Sequence, residues 1–241
     1  MRVDLFVDPA CLWSWLTSRW LAEVAPKRNL EVRWRPYSLL LRDGPQGLED
    51  WKAMVWGASL RAVRVMQALS TDIPDGVHRF YEAVGTRGVA DYQAGRSPFQ
   101  GLAGALAAAG LPSTYAAAAD DAAWDEPIRR SMTEAFAVVG EGVGTPTLVL
   151  HHDPPVGLLG PLVSPPPTGA DAVRLWDAVV AFATVPGVLE LSRPRPPRPT
   201  IPGPGIVAGG SPAPRRPAAA PGCRLVVTHT EPGRPARTNG P

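Results

Sequence analysis

The chain has 241 residues, 45% of them hydrophobic and 19% charged, which is enough for one domain or two small ones around a real core and excludes disorder throughout. A net charge of +2 is too small to make nucleic acid the main partner. Two cysteines, Cys11 and Cys223, exclude both a disulfide-stapled scaffold and a four-cysteine zinc site.

Val3–Val7 reads as a short strand closed by the turn Asp8-Pro9-Ala10. It is too short, and flanked too closely by Asp4 and Asp8, to be the apolar part of a signal peptide, so a cytoplasmic protein is expected. No run approaches the roughly 20 apolar residues of a membrane span. From Cys11 to Ala25, Leu12, Trp15, Leu16, Trp20, Leu21 and Val24 recur at helical spacing. Leu30, Val32 and Trp34 then alternate with Glu31, Arg33 and Arg35, as a strand leading to Pro36-Tyr37. Helices follow over Leu48–Leu69, Pro74–Thr86, Pro98–Gly110, Pro112–Asp120 and Asp125–Gly140, punctuated by Gly, Pro and Ser. Strands return at Thr147–Leu150 and Val156–Leu159, around the turn His151-His152-Asp153-Pro154-Pro155, before a last helix at Gly169–Thr184.

A β-α-β opening and a β-β-α ending predict an α/β, thioredoxin-like fold with an inserted all-helical subdomain. The expected organisation is a thioredoxin-like domain from 1–43 and 141–193, a helical insertion at 44–140, and a disordered Pro/Arg-rich tail at 194–241. Of the 29 prolines, 13 lie after Arg193, in a composition that buries too little apolar surface to offset ordering entropy. Leu225–Thr228 is the one stretch of that tail with strand character.

Cys11 carries the sharpest chemical signal. It follows a strand and turn and opens a helix, where free amides and the positive end of the helix dipole stabilise a thiolate. Ser14, three residues on, shares its helix face and is placed to donate a hydrogen bond to the sulfur. Trp13 is expected to line a substrate cleft. Thr145-Pro146, directly before a strand, is a candidate cis peptide whose missing donor leaves the Thr145 backbone free to pair with an incoming thiol. Other signals are bland. His78 reads as a surface helix histidine, Trp51, Trp56 and Trp124 as core, and Asp120, Asp121, Asp125 and Glu126 as helix-boundary caps. Adjacent His151 and His152 point to opposite faces of a strand end and do not share a metal. No phosphate loop or dinucleotide fingerprint is present.

Asp8-Pro9-x-Cys11-x-Trp13-x-Trp15-Leu16-Thr17-Ser18-Arg19-Trp20-Leu21 and Val143-Gly144-Thr145-Pro146-Thr147-Leu148 together resemble the DsbA-like, actinobacterial mycothiol-dependent nitroreductases. Gly160-Pro161, Leu175-Trp176-Asp177, Phe182-Ala183 and Leu189-Glu190-Leu191 extend the resemblance over residues 1–193. It implies a thiol-disulfide oxidoreductase or nitroreductase with Cys11 and Ser14 as catalytic residues. Trp13, Thr145 and Pro146 would bind a low-molecular-weight thiol such as mycothiol, beside an electrophilic small-molecule substrate. Neither metal nor nucleotide is expected, nor a membrane or nucleic-acid partner; a homodimer stays open. Two departures matter. The family typically has Cys-Pro-Trp-Cys where this chain has Cys11-Leu12-Trp13-Ser14, so turnover needs an external thiol, a monothiol cycle; Cys223 is a nominal resolving thiol. Members also commonly carry a histidine after a segment like Tyr81–Arg87, where Gly88 and Val89 stand here. Two other readings remain: an enzyme like 2-hydroxychromene-2-carboxylate isomerase or kappa-class glutathione transferase, with the thiol as cofactor, and a non-catalytic thiol-binding module.

Overall fold

The computed structural model describes residues 1–94, 96, 98–196 and 199–201. The expectations for the tail beyond 201, with Cys223 and the Leu225–Thr228 strand, lie outside the described residues. Four strands, β1 (Arg2–Val7), β2 (Glu31–Pro36), β3 (Thr147–Leu150) and β4 (Val156–Leu159), form one sheet in the order β2-β1-β3-β4. β1 runs parallel to β2 with Leu5 opposite Trp34, and antiparallel to β3 with Leu5 opposite Leu148; β3 and β4 form a hairpin. The fold is thioredoxin-like α/β.

β1 is covered on both faces, which explains its nearly unbroken apolar run. Its side chains alternate, as a period of two requires. Val3, Leu5 and Val7 join one core with Leu148 and Leu150; Phe6 joins a second with Tyr37, Ile128, Met132 and Val149. The first core is closed by α1 (Leu12–Val24), α3 (Asp50–Asp72), α4 (Pro74–Gln93), α5 (Leu102–Ala108) and α7 (Gly169–Thr184). Trp20 of α1 packs against Trp176 of α7 with ring centroids 6.0 Å apart and planes tilted by 40°, and its indole N–H donates to the Ala172 carbonyl at 2.9 Å, so this large side chain is buried with its polar atom satisfied. α6 (Asp125–Val139) closes the second core with α3.

Several sequence expectations need correction. A short helix α2 (Leu39–Asp43), capped by the Ser38 hydroxyl accepting from the Leu41 amide at 3.2 Å, follows β2; its five residues are too few to show a period. Residues Ser113–Asp120 wind as a 3₁₀ helix rather than an α-helix, and α4 runs on to Gln93. Trp51 is 57% exposed, so it is not core, whereas Trp124 packs against the first core. Asp120 and Asp125 are partners of Arg61 and Arg64 on α3 at 2.8 and 2.7 Å, not merely caps. His151 faces the carboxylate of Asp4 at 3.1 Å, within an Arg33–Asp4–Arg35 cluster. Among the described residues no helix is long and apolar enough to cross a membrane, and no group of three His, Cys, Asp or Glu could hold a metal ion.

Candidate active site

The site begins where β1 ends. Asp8 is fully buried, and its carboxylate gathers one donor from its own turn, the Ala10 amide (2.8 Å), and two from distant chain, the Leu39 amide at the start of α2 (2.7 Å) and the Ser59 hydroxyl of α3. Ser59 also accepts from the Ala10 amide at 3.0 Å. The Asp8 carbonyl takes the Cys11 amide at 2.9 Å, which completes the turn. Burial pushes the Asp8 carboxyl above its ordinary value, against the opposing pull of the three donors and of Arg42.

This turn delivers Cys11 to the N-cap of α1 in an extended conformation, φ −89° and ψ 102°. There the sulfur takes the capping position usually held by an oxygen, accepting from the Ser14 amide at 3.4 Å. The contact from Ser14 to the sulfur is therefore made by its amide. Its hydroxyl, expected to be the donor, is buried with no partner. The thiol donates to the Thr145 carbonyl at 3.3 Å. Cys11, 134 residues away in sequence, thus meets the loop before β3, and the Thr145–Pro146 peptide there is cis.

That loop is held from several sides. The fully buried Tyr37 donates its hydroxyl to the Val143 carbonyl at 2.6 Å, and burial pushes its phenol up to about 12, so it stays a donor at any physiological pH. Thr147 donates to the Gly144 carbonyl at 2.7 Å, and the Gly160 amide donates to the Pro146 carbonyl at 2.8 Å. Thr17 of α1 donates to the Pro161 carbonyl at 2.7 Å, which ties the helix carrying Cys11 to the same end of the sheet.

Trp13 lies half-buried in the first turn of α1, and Trp15, two residues on, is buried. Arg19 lies over the Trp15 ring at 4.4 Å and pairs with Glu82. The ring also presses on α4 at Gly85, where an added Cβ would stand 2.3 Å from its carbons. His78 is half-buried rather than at the surface, stacked on Trp34 at 4.2 Å; burial, then the charge of Arg19, lowers it below its usual value. At Gly88 a Cβ would meet the Phe99 ring at 2.6 Å, so a histidine there would have to displace that ring. Ser59 and Tyr37 carry no local sequence signal; each acts through contacts with chain far away.

The family model for the mycothiol-dependent nitroreductase Rv2466c and its likes matches residues 10–193, a span that includes Cys11, Thr145 and Pro146. The chain belongs to this family. The uncharacterized protein Rv2286c of Mycobacterium tuberculosis is 28% identical over 198 residues, covering 81% of this chain and 83% of its own. Among solved structures, a 2-hydroxychromene-2-carboxylate isomerase shares the fold with a TM-score of 0.50 at 16% identity, over 75% of this chain and 94% of its own. The cytosolic disulfide reductase DsbM of Pseudomonas aeruginosa, solved with GSH, matches with a TM-score of 0.47 at 19% identity, over 75% of this chain and all of its own.

Proposed function

We propose that this protein is a thiol-dependent oxidoreductase in which Cys11 works in a monothiol cycle with a low-molecular-weight thiol, mycothiol being the candidate from the family. The observation that carries the reading is the setting of the sulfur: a half-buried cysteine at a helix N-cap, between the Ser14 amide and the Thr145 carbonyl. The residues fit a small thiol partner. An amide donor faces the sulfur, Trp13 offers an apolar surface beside it, and Cys11 is the free cysteine among the described residues. When bound, the thiol supplies reducing equivalents.

In the resting protein Cys11 holds its proton toward the Thr145 carbonyl. Loss of that proton to solvent leaves a thiolate stabilised by the Ser14 amide and the N-terminus of α1. Attack on a disulfide forms one S–S bond to Cys11 Sγ and breaks the substrate S–S bond, and the leaving sulfur departs as a thiolate that takes a proton from water. With Ser14 in the place of a second cysteine, Cys11 is freed only by an external thiolate, which breaks the mixed disulfide. That exchange leaves the external thiol joined to the remaining substrate sulfur as a new disulfide; attack of a second external thiolate on it completes the reduction, so that two thiols are oxidised to one disulfide and the substrate disulfide gains two electrons and two protons. Thr145 and Pro146 position the incoming group opposite Cys11.

Reduction of a small disulfide by mycothiol tests this. Wild type and Cys223→Ala are expected to turn over alike, and Cys11→Ser to fall to the uncatalysed rate. Full activity in Cys11→Ser would overturn the reading and pass the nucleophile's role to the bound thiol, as in an isomerase-type site.

A further inference from the structure

β2 stands at the edge of the sheet, and its hydrogen bonds show which of its backbone groups are used. The Glu31 amide donates to the Met1 carbonyl at 3.0 Å, and the Tyr37 amide to the Val7 carbonyl at 3.1 Å. In a parallel ladder the residues bonded to the neighbour recur at every second position, so Glu31, Arg33, Arg35 and Tyr37 present their backbones to β1. Val32, Trp34 and Pro36 present theirs the other way. Among the described residues no strand lies on that side, and the Val32 and Trp34 amides have no partner. Pro36 agrees with this parity, since it has no N–H and an outward position on an edge is where a strand tolerates it.

Free edges are ordinarily blunted or covered. This one opens into a cavity of about 570 Å³ whose floor is residues 32–36. Ser70 of α3 with Asp75 and His78 of α4 form one wall, and Arg130, Ser131 and Glu134 of α6 form the other. The side chains of β2 point to these walls in turn: Trp34 stacks on His78 with ring centroids 4.2 Å apart, and Arg35 donates to Glu134 at 2.6 Å. An extended segment laid along the free edge would alternate in the same way, one side chain toward α4 and the next toward α6.

The two walls differ in charge. Arg33 and Arg35 are engaged by Asp4, and Glu134 by Arg35. Arg130 has only Glu126 of its own helix, at 3.9 Å, and Asp75, in the first turn of α4, has no ion-pair partner among the described residues. A cation is thus left on one wall and an anion on the other. A second copy of β2 does not suit this recess. It carries its own walls, and α4 and α6 of the two copies would meet before the strands came within the roughly 4.8 Å of a ladder.

We propose that the β2 edge is a docking groove for an extended peptide segment of a partner protein in which acidic and basic residues alternate. The segment adds a strand to the sheet through the Val32 and Trp34 backbones, with its acidic side chains toward Arg130 and its basic ones toward Asp75. Backbone pairing supplies the affinity, and the alternation of charge selects the partner. Binding is non-covalent and does not depend on the state of Cys11.

The test uses the full chain and two fluorescein-labelled octapeptides of equal composition. One alternates Glu and Lys; the other is built of Glu-Glu-Lys-Lys blocks, which mix both charges on each face. Fluorescence anisotropy at low salt should show the alternating peptide binding about tenfold more tightly. Val32→Pro removes an outward donor and spares the ladder to β1, so it should weaken that binding by about fivefold with a melting temperature close to wild type. Arg130→Glu should weaken it by a similar factor. Arg130→Glu combined with Asp75→Lys should restore it, because a shift of one residue exchanges the two faces of the peptide. By NMR, the Val32 and Trp34 amides should exchange with solvent faster than those of Arg33 and Arg35 in the free protein, and should become protected when the alternating peptide is added. Equal affinity for the two peptides, no binding up to about 1 mM, or affinity unmoved by Val32→Pro and by Arg130→Glu would overturn the inference. Amides already protected in the free protein, or self-association that Val32→Pro abolishes, would overturn it too, by making this chain its own occupant.

Discussion

Two buried aspartates stand along the line of β1, Asp4 within it and Asp8 just past its end, and they are treated in opposite ways. Asp4 is met by charge. Arg33 reaches it with two hydrogen bonds, Arg35 and His151 add to them, and although burial pushes its carboxyl up, these partners outweigh it and hold it below the ordinary value of 3.8. Asp8 is met by neutral donors, two amides and a hydroxyl, and burial leaves its carboxyl raised. The Asp4 end is a charge-compensated cluster whose business is stability. The Asp8 end fixes the turn before Cys11 with neutral dipoles, and Ser14 and Thr145, whose backbones contact the sulfur, keep buried hydroxyls without a partner. One strand thus separates a region built to be stable from one built to react, and substitutions at the two ends should divide accordingly.

The largest effect is expected at the reactive end: Cys11→Ser should remove thiol-driven disulfide reduction while leaving the melting temperature close to that of wild type. At the other end, Asp4→Ala takes the carboxylate from Arg33 and one of two carboxylate partners from Arg35, which keeps Glu134, and should cost about 3 kcal/mol of stability, read by urea denaturation, with the rate of Cys11 alkylation unchanged. Asp8→Ala should do the reverse in proportion. Loss of its hydrogen bonds costs about 1–3 kcal/mol, but the turn that delivers Cys11 loosens and alkylation slows. Equal loss of reactivity in both variants would break the comparison.

Gly85→Ala should destabilise by about 1–3 kcal/mol, because the new methyl must push the Trp15 ring aside. The displacement reaches the first turn of α1, so alkylation should slow as well. The smallest effect is in pH. Asp4 is lowered in the folded protein, so its contribution is present above the unfolded-chain value of about 3.9 and is lost as pH falls through the lower folded value. Asp8 is raised, so its contribution has the opposite sign: it is present at low pH and is lost as pH rises through the folded value. Asp4→Asn should therefore flatten the acid-side fall in stability, and Asp8→Asn should not.

The strands and long helices could be read from the sequence because each buries a periodic face. β1 and β3 are apolar on both sides, and α7 keeps Ala172, Trp176 and Val179 on one stripe. α2 was not legible, since three consecutive leucines have no period, and the Ala-rich stretch that winds as 3₁₀ has no stripe to mark its pitch. In the site, Cys11 could be placed because its setting is local, a strand, a turn and a helix start within a dozen residues. The X-Pro bond and the resemblance both put Thr145 and Pro146 at a thiol site, but the direct contact between Cys11 and the Thr145 carbonyl, 134 residues apart, had no local mark. Ser59 was invisible because its role arises from packing: it meets Asp8 across 51 residues. His78 likewise gave no hint of its stack on Trp34.

The central claim is that Cys11 exchanges disulfides without a second protein thiol. The most direct measurement is the intact mass of Cys223→Ala protein after incubation with oxidised mycothiol, with peptide mapping of any adduct. A single mycothiol adduct on Cys11, discharged by free thiol, is the predicted result. Protein of unchanged mass would contradict the account.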